Sequence, residues 1–450
     1  MNKKNFFSYF LFLISSFLLI YIFYKSEILL NGIRRNYYLI YYIFTISLLI
    51  FSIITFFLNK KIIEYFIIIF FSSLISLYIA EIYFFKDNIN EKKKFLEKKY
   101  KKYNELTGKI YDKRSKFEVY KDLKKNDGDI KIAIYPSFFF NDNKDNLLPL
   151  SGASFSKTIY CNENGYYAIF ESDRYGFNNP NSEWDQREIE YLIVGDSFGL
   201  GWCVNRPNDI GSVLRNLSNK SLLNLSYDSN GPLIEYSSLR EYMPKNVKNV
   251  IWLYYERNDL ENLSAELNNE ILGKYLDDLN FSQNLKSKQE IIDKKISKTI
   301  DTSFNKEIEK NKFLNKLKFF LHNQSLPLIK LSNIRSNLNR YLPEKFQPVH
   351  LNDPIDEFTK IIKLANDETL KNNGNLYFVY LPEYSRYIDK DIFYKKYGEE
   401  YNENNFRNYK IIKDIINKLN IDFIDMHSEL FKKEANPLKL FPFEMNGHYN

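Results

Sequence analysis

The sequence predicts an α/β fold in three layers, α/β/α, built on about five parallel strands and preceded by three transmembrane helices. Two observations predict it. Charged residues are scarce over the first 85 positions and abundant afterwards, so an apolar region precedes a water-soluble one. Beyond that boundary five short apolar runs recur, most of them separated by helical stretches, and strand alternating with helix implies a parallel sheet covered on both faces. The chain of 450 residues accordingly divides into a membrane region (1–86), a charged juxtamembrane helix or linker (87–128), a β-containing lead-in (129–186) and an α/β domain (187–450) carrying a helical insertion at about 262–346.

The transmembrane helices follow from length and polarity. About 20 apolar residues cover the hydrocarbon core. Phe6–Tyr24 and Tyr37–Leu58 contain no Asp, Glu, Lys or Arg, and Ile62–Phe85 contains only Glu64 and Glu81, placed near its ends where a carboxylate can reach the headgroups. A cleaved signal peptide is excluded for the first, because it lacks a small-residue cleavage site and two further spans follow. Lys3, Lys4, Lys60 and Lys61 fall on one side of the bilayer, and Lys25, Arg34, Arg35 and the run Lys93–Lys102 on the other. That count puts the soluble domain in the cytoplasm.

The strands are Glu190–Val194, Ser221–Leu225, Asn249–Tyr255, Asn375–Leu381 and Ile421–Asp425. Asn208–Ser218, Pro232–Glu241 and Phe406–Leu419 are the clearest helices between them. The insertion is charged and helix-prone, and reads as a cap over the site, a surface for a protein partner, or a peripheral addition. The net charge of +7 comes largely from the run 91–125, which reads as a solvated face, and no nucleic-acid motif accompanies it. The 36 Tyr and 38 Phe accompany many Ile, Lys and Asn, a composition bias that lessens the weight of any one aromatic cluster.

In an open parallel sheet, ligands bind beyond the carboxyl ends of the strands. After the first strand stands Gly195-Asp196-Ser197-Phe198-Gly199, a tight turn that lifts a serine hydroxyl into the crevice at a helix start. After the second comes the turn-rich Asn224–Pro232, and after the third Tyr255-Glu256-Arg257-Asn258-Asp259, where an amide can donate to an oxyanion. His448 lies at the far end of the chain, after the fifth strand and a short connection. Asp425 reads as a helix cap, with a carboxylate for a catalytic histidine as the lesser alternative; His322, His350 and His427 read as ordinary polar residues, and Trp202 and Trp252 as core or pocket wall. Cys161 and Cys203 match no zinc or redox spacing, flank the serine region, and are either a disulfide or two free thiols. No metal-ligand cluster or phosphate-cradling glycine loop occurs, so neither metal nor cofactor is expected.

These four sites, in this order, resemble the SGNH (GDSL) hydrolase superfamily from about residue 187 onward, excluding the insertion. The resemblance implies a three-layer, flavodoxin-like sheet and acyl-transfer chemistry, with Ser197 as nucleophile and His448 as base. It implies an oxyanion hole made by the N–H of Ser197, a backbone N–H at Ser229 or Gly231, and the Asn258 amide. Glu256 stands where the family usually has glycine. Asn446 stands where the family usually has an aspartate to orient the histidine, so Asn446 is the candidate orienting residue, with a dyad, a carboxylate from elsewhere, or an inactive site as the alternatives. Family members usually continue into a final helix, which predicts further chain beyond Asn450. An α/β-hydrolase would need several strands before its serine, which here follows the first. The implied function is a serine esterase, acyl hydrolase or O-acyltransferase acting on small acyl groups such as acetyl on an envelope carbohydrate, in a multi-pass protein of a bacterial-type inner membrane. Its domain is expected on the periplasmic side, against the charge count. The expected partners are the bilayer and an acylated small molecule or polysaccharide, with no nucleic acid. The rival expectation is a catalytically decayed binding or assembly protein on the same fold.

Overall fold

The computed structural model describes residues 3–32, 35–141, 146–311, 327–339, 353–389 and 407–449. They form two compact units, one of residues 3–32, 35–95 and 327–339, the other of 96–141, 146–311, 353–389 and 407–449.

In the first unit, α1 (Lys3–Phe23), α2 (Arg35–Thr55) and the beginning of α3 (Lys60–Thr107) are each long and apolar enough to cross a bilayer. Phe7, Leu11 and Ile63 bury one another, while most other apolar side chains of these helices face outward, as a lipid-facing surface requires. Thr45, Ser52 and Thr55 within these helices donate to carbonyls one turn back. Glu81 does not turn out toward the headgroups. It is fully buried and accepts from the Asn333 and Ile334 N–H groups at 2.9 and 2.8 Å, capping a short helix, Ser332–Asn339. Part of the predicted insertion therefore belongs with the membrane helices.

The second unit begins inside α3, which continues unbroken to Thr107, so no separate juxtamembrane helix starts at residue 87. A capping box between Ser115 and Glu118 then starts α4 (Lys116–Lys124). The lead-in is a three-stranded sheet of β1 (Ile130–Ile132), β2 (Lys157–Cys161) and β3 (Ala168–Glu171), with β1 and β2 parallel and β2 and β3 an antiparallel pair.

The main sheet comprises β4 (Ile189–Val194), β5 (Leu222–Asn224), β6 (Val247–Tyr255), β7 (Asn375–Leu381) and β8 (Asp422–Asp425), all parallel, in the order β5-β4-β6-β7-β8. Its strands read as nearly continuous apolar runs because both faces are covered. Along β6, Val250, Trp252 and Tyr254 face one layer, where Leu233 and Leu239 of Pro232–Tyr242 meet Phe358 and Ile361 of Ile355–Lys371. Leu253 and Tyr255 face the other, against Phe198, Leu214 and Tyr449. The chain leaves β4 toward β5 and then crosses to β6 on the other side. The strand order reverses there, opening a crevice at the carboxyl ends of β4 and β6.

The described part of the insertion in this unit is structural. Leu263, Leu272, Ile292, Ile296 and Ile300 join the core, and the helix Gln289–Asn311 braces the lead-in. Its Asp293 accepts from the Ser154 N–H (2.8 Å) and hydroxyl (2.6 Å), and Lys295 donates to the Leu147 carbonyl.

Candidate active site

Ser197 is the first residue of the short helix Ser197–Leu200, directly after β4. Asp196 caps that helix, accepting from the Phe198 N–H at 2.8 Å; burial pushes its carboxyl up to about 6. The first helical N–H has no intrahelical acceptor, so the Ser197 amide is not spent within the helix. The turn is tight enough to demand glycine at 199. A Cβ there would lie 2.2 Å from the Ser226 hydroxyl and 2.7 Å from its Cβ, so the segment that follows β5 and the helix approach closely only because that side chain is missing. Gly199→Ala is accordingly expected to cost about 1–3 kcal/mol of stability, read as a lower midpoint in denaturant; an unchanged midpoint would mean that Ser226 moves aside freely.

The Ser197 hydroxyl meets His448 Nε2 at 2.8 Å, and both side chains are largely buried. Phe198 packs on the imidazole with ring centres 4.5 Å apart, and on Tyr255 and Tyr449 at 4.0 and 4.7 Å. Tyr449 in turn donates to the Pro382 carbonyl. Glu256, in the place of the expected glycine, secures that loop: it accepts from Tyr380 (2.7 Å), the Glu383 N–H (3.0 Å) and the Arg386 guanidinium in a buried pair.

The other ring nitrogen of His448 does not turn to Asn446. Nδ1 lies 3.1 and 3.2 Å from the two carboxylate oxygens of Glu163, which also accepts the His448 N–H at 2.9 Å. Burial works against the charge on Glu163. The hydrogen bond and charge of the His448 ring, the His448 N–H and the nearby Lys99 ammonium prevail, and hold the carboxyl below its ordinary range.

Glu163 sits in the turn between β2 and β3, and several bonds hold that turn. Tyr111 donates to the Asn162 carbonyl (3.0 Å), Asn162 donates to the Asp112 carbonyl (2.7 Å), and the Asp112 N–H donates to the Gly165 carbonyl (2.9 Å). Gly165 has φ +87°, and a Cβ there would fall 2.3 Å from the Tyr103 ring, so glycine is required twice over. The end of α3 also secures the histidine loop, Lys102 donating to the Phe443 carbonyl at 2.7 Å. Cys161 is bonded to Cys203, which ties the acid-bearing hairpin to the loop that follows Ser197.

Of the oxyanion candidates, Asn258 starts the helix Asp259–Glu266 without its side chain capping it, and its Oδ1 has no hydrogen-bond partner. Gly231 cannot serve, because its N–H is committed to Glu266 at 2.6 Å. The Ser229 hydroxyl donates to Asp228 at 3.1 Å, and its N–H also lies against that carboxylate. Asp425 accepts from the His427 N–H and from Ser428 as a helix cap, and His427 bonds Tyr387; neither belongs to the Ser197 cluster. His322 and His350 lie outside the described residues. Among the described residues no group of three or more His, Cys, Asp or Glu is placed to hold a metal.

Sequence reasoning misses Glu163 because it belongs to the lead-in and to a different sheet. The one signal is Cys161, two residues before it: once bonded to Cys203, it brings the hairpin to the serine loop. Chemically, the cluster can move a proton from the serine hydroxyl to the imidazole while a carboxylate balances the resulting cation. No protein-family model matches the chain, and no curated protein matches it, so its function is read from this geometry.

Proposed function

We propose that this protein is a membrane-anchored serine acyl hydrolase or O-acyltransferase of the SGNH type, acting on small acyl esters of an envelope carbohydrate. The observation that carries the reading is the continuous chain from the Ser197 hydroxyl through both ring nitrogens of His448 to Glu163. His448 Nε2 takes the hydroxyl proton as Oγ attacks the ester carbonyl. The Ser197 N–H and the Asn258 amide receive the oxyanion. Collapse of the tetrahedral adduct expels the alcohol, which leaves with the proton from His448. Water, or a sugar hydroxyl, then attacks the acyl-serine by the same steps in reverse, restoring the free serine. Glu163 fills the role that the chain's Asn446 cannot, since an amide does not neutralise imidazolium.

A bonded Cys161–Cys203 pair favours an oxidising compartment, which supports a periplasmic domain over the cytoplasmic one suggested by the charge count. Fluorophosphonate labelling of the detergent-solubilised chain tests the reading. Strong labelling is expected in the wild type, none in Ser197→Ala, and little in His448→Ala. A folded, full-length wild-type chain that takes no label would overturn it, leaving a binding or assembly protein of the cell envelope as the better account.

A further inference from the structure

Lys116 occupies an unfavourable place for a cation. It is the first residue of α4, where the helix dipole disfavours a cation. Its side chain is half-buried, and burial lowers the pKa of its ammonium against the pull of Asp228. Among the described residues no carboxylate lies within ion-pair distance of it. Its recorded contact is the face of Trp202, with the ammonium 5.8 Å from the ring centre.

Through Trp202 this cation neighbours the His448 imidazole. The Trp202 ring centre also lies 5.9 Å from the His448 imidazole, and the Trp202 backbone N–H donates to the Ser197 carbonyl at 3.0 Å. Asp228 feels the charges of both Lys116 and His448. A half-exposed indole that neighbours the His448 imidazole and also an ammonium without an ion-pair partner suits a sugar ring packed on the indole with an anionic substituent at the ammonium.

We infer that Lys116 and Trp202 form a substrate subsite for an acidic sugar, the carboxylate of a uronic acid meeting Lys116 while its ring packs on Trp202. The inference rests on the proposed acyl-transfer reading and narrows its substrate to acylated acidic saccharides.

The test compares two esters on the full-length protein in detergent: the methyl glycoside of O-acetylglucuronic acid and its neutral O-acetylglucose counterpart. Wild type is expected to favour the acidic ester at least about tenfold in kcat/KM, with the preference carried by KM and shrinking as salt is raised. Lys116→Met is expected to abolish the preference, and Lys116→Arg to retain most of it. A wild type that favours the neutral ester, or a folded Lys116→Met chain with the wild-type ratio, would overturn the inference. If wild type turns over neither ester and takes no fluorophosphonate label, the catalytic reading has failed, and binding decides the subsite separately. Glucuronic acid trisaccharide should then bind Ser197→Ala more tightly than a glucose trisaccharide and lose that advantage in the Ser197→Ala, Lys116→Met chain; equal binding of the two saccharides would overturn it.

Discussion

Glu163→Gln is expected to lower kcat by roughly 10³–10⁴-fold while leaving the protein folded. The amide has the size of the carboxylate and can still accept the His448 N–H, so the histidine loop keeps its anchor. What it loses is charge: the imidazolium formed as Ser197 attacks would have no anion beside it, and an amide can also turn its NH₂ toward Nδ1 and stabilise the wrong tautomer. KM should change little, because Glu163 contacts His448 and not the substrate position. Glu163→Asp should recover part of the rate, having the charge but a shorter reach. A Glu163→Gln chain within twofold of wild type in kcat would remove Glu163 from the mechanism.

The same substitution has a signature in stability against pH. The folded pKa of Glu163 lies below its ordinary value, so the ionised carboxylate stabilises the native state above the unfolded pKa, and that contribution disappears as pH falls through the folded one. Stability against urea should therefore fall more steeply in wild type than in Glu163→Gln as pH drops from about 6 to 3. Parallel curves would mean that the carboxylate gains nothing from its neighbours in the fold.

Replacing Cys161 and Cys203 together by serine is expected to cost about 4 kcal/mol, the chain-entropy value for a loop of 42 residues, and to lower activity beyond what unfolding explains. The second effect is the more informative. The bond joins the hairpin bearing Glu163 to the loop after Ser197, so without it the carboxylate is held only by the hydrogen bonds around Asn162 and Gly165. A small misplacement of an orienting group costs rate out of proportion to its distance. The measurement is kcat at a temperature where both forms are folded, with reductant on wild type as the matched control. Loss of stability with kcat intact would show that the hairpin holds its place unaided.

The sheet was legible in the sequence because a strand buried on both faces must be apolar almost throughout. β4 and β7 begin and end within a residue of their apolar runs, and β6 begins two residues early, at Val247. The meeting of Ser197 with His448 was legible for a related reason: a parallel sheet gathers at one edge the residues that follow its strands, and Ser197 follows β4 directly. Glu163 was not, because its contact with His448 spans 285 positions and joins two sheets, and no local pattern records which hairpin a distant turn will touch. That the Gly231 N–H is already committed likewise depends on Glu266, which reaches it from another helix.

By itself, then, the sequence determined the apolar helices, the alternation that builds the parallel sheet, and the serine, asparagine and histidine at its carboxyl edge. These follow from periodicity and composition, which act over a few residues at a time. Tertiary structure alone decided which carboxylate meets the histidine, that Cys161 bonds Cys203, that Glu81 caps a distant helix, and that Lys116 stands beside Trp202. Each depends on the packing of segments far apart in the chain, where burial demands a partner for every polar group but leaves the choice of partner to the fold.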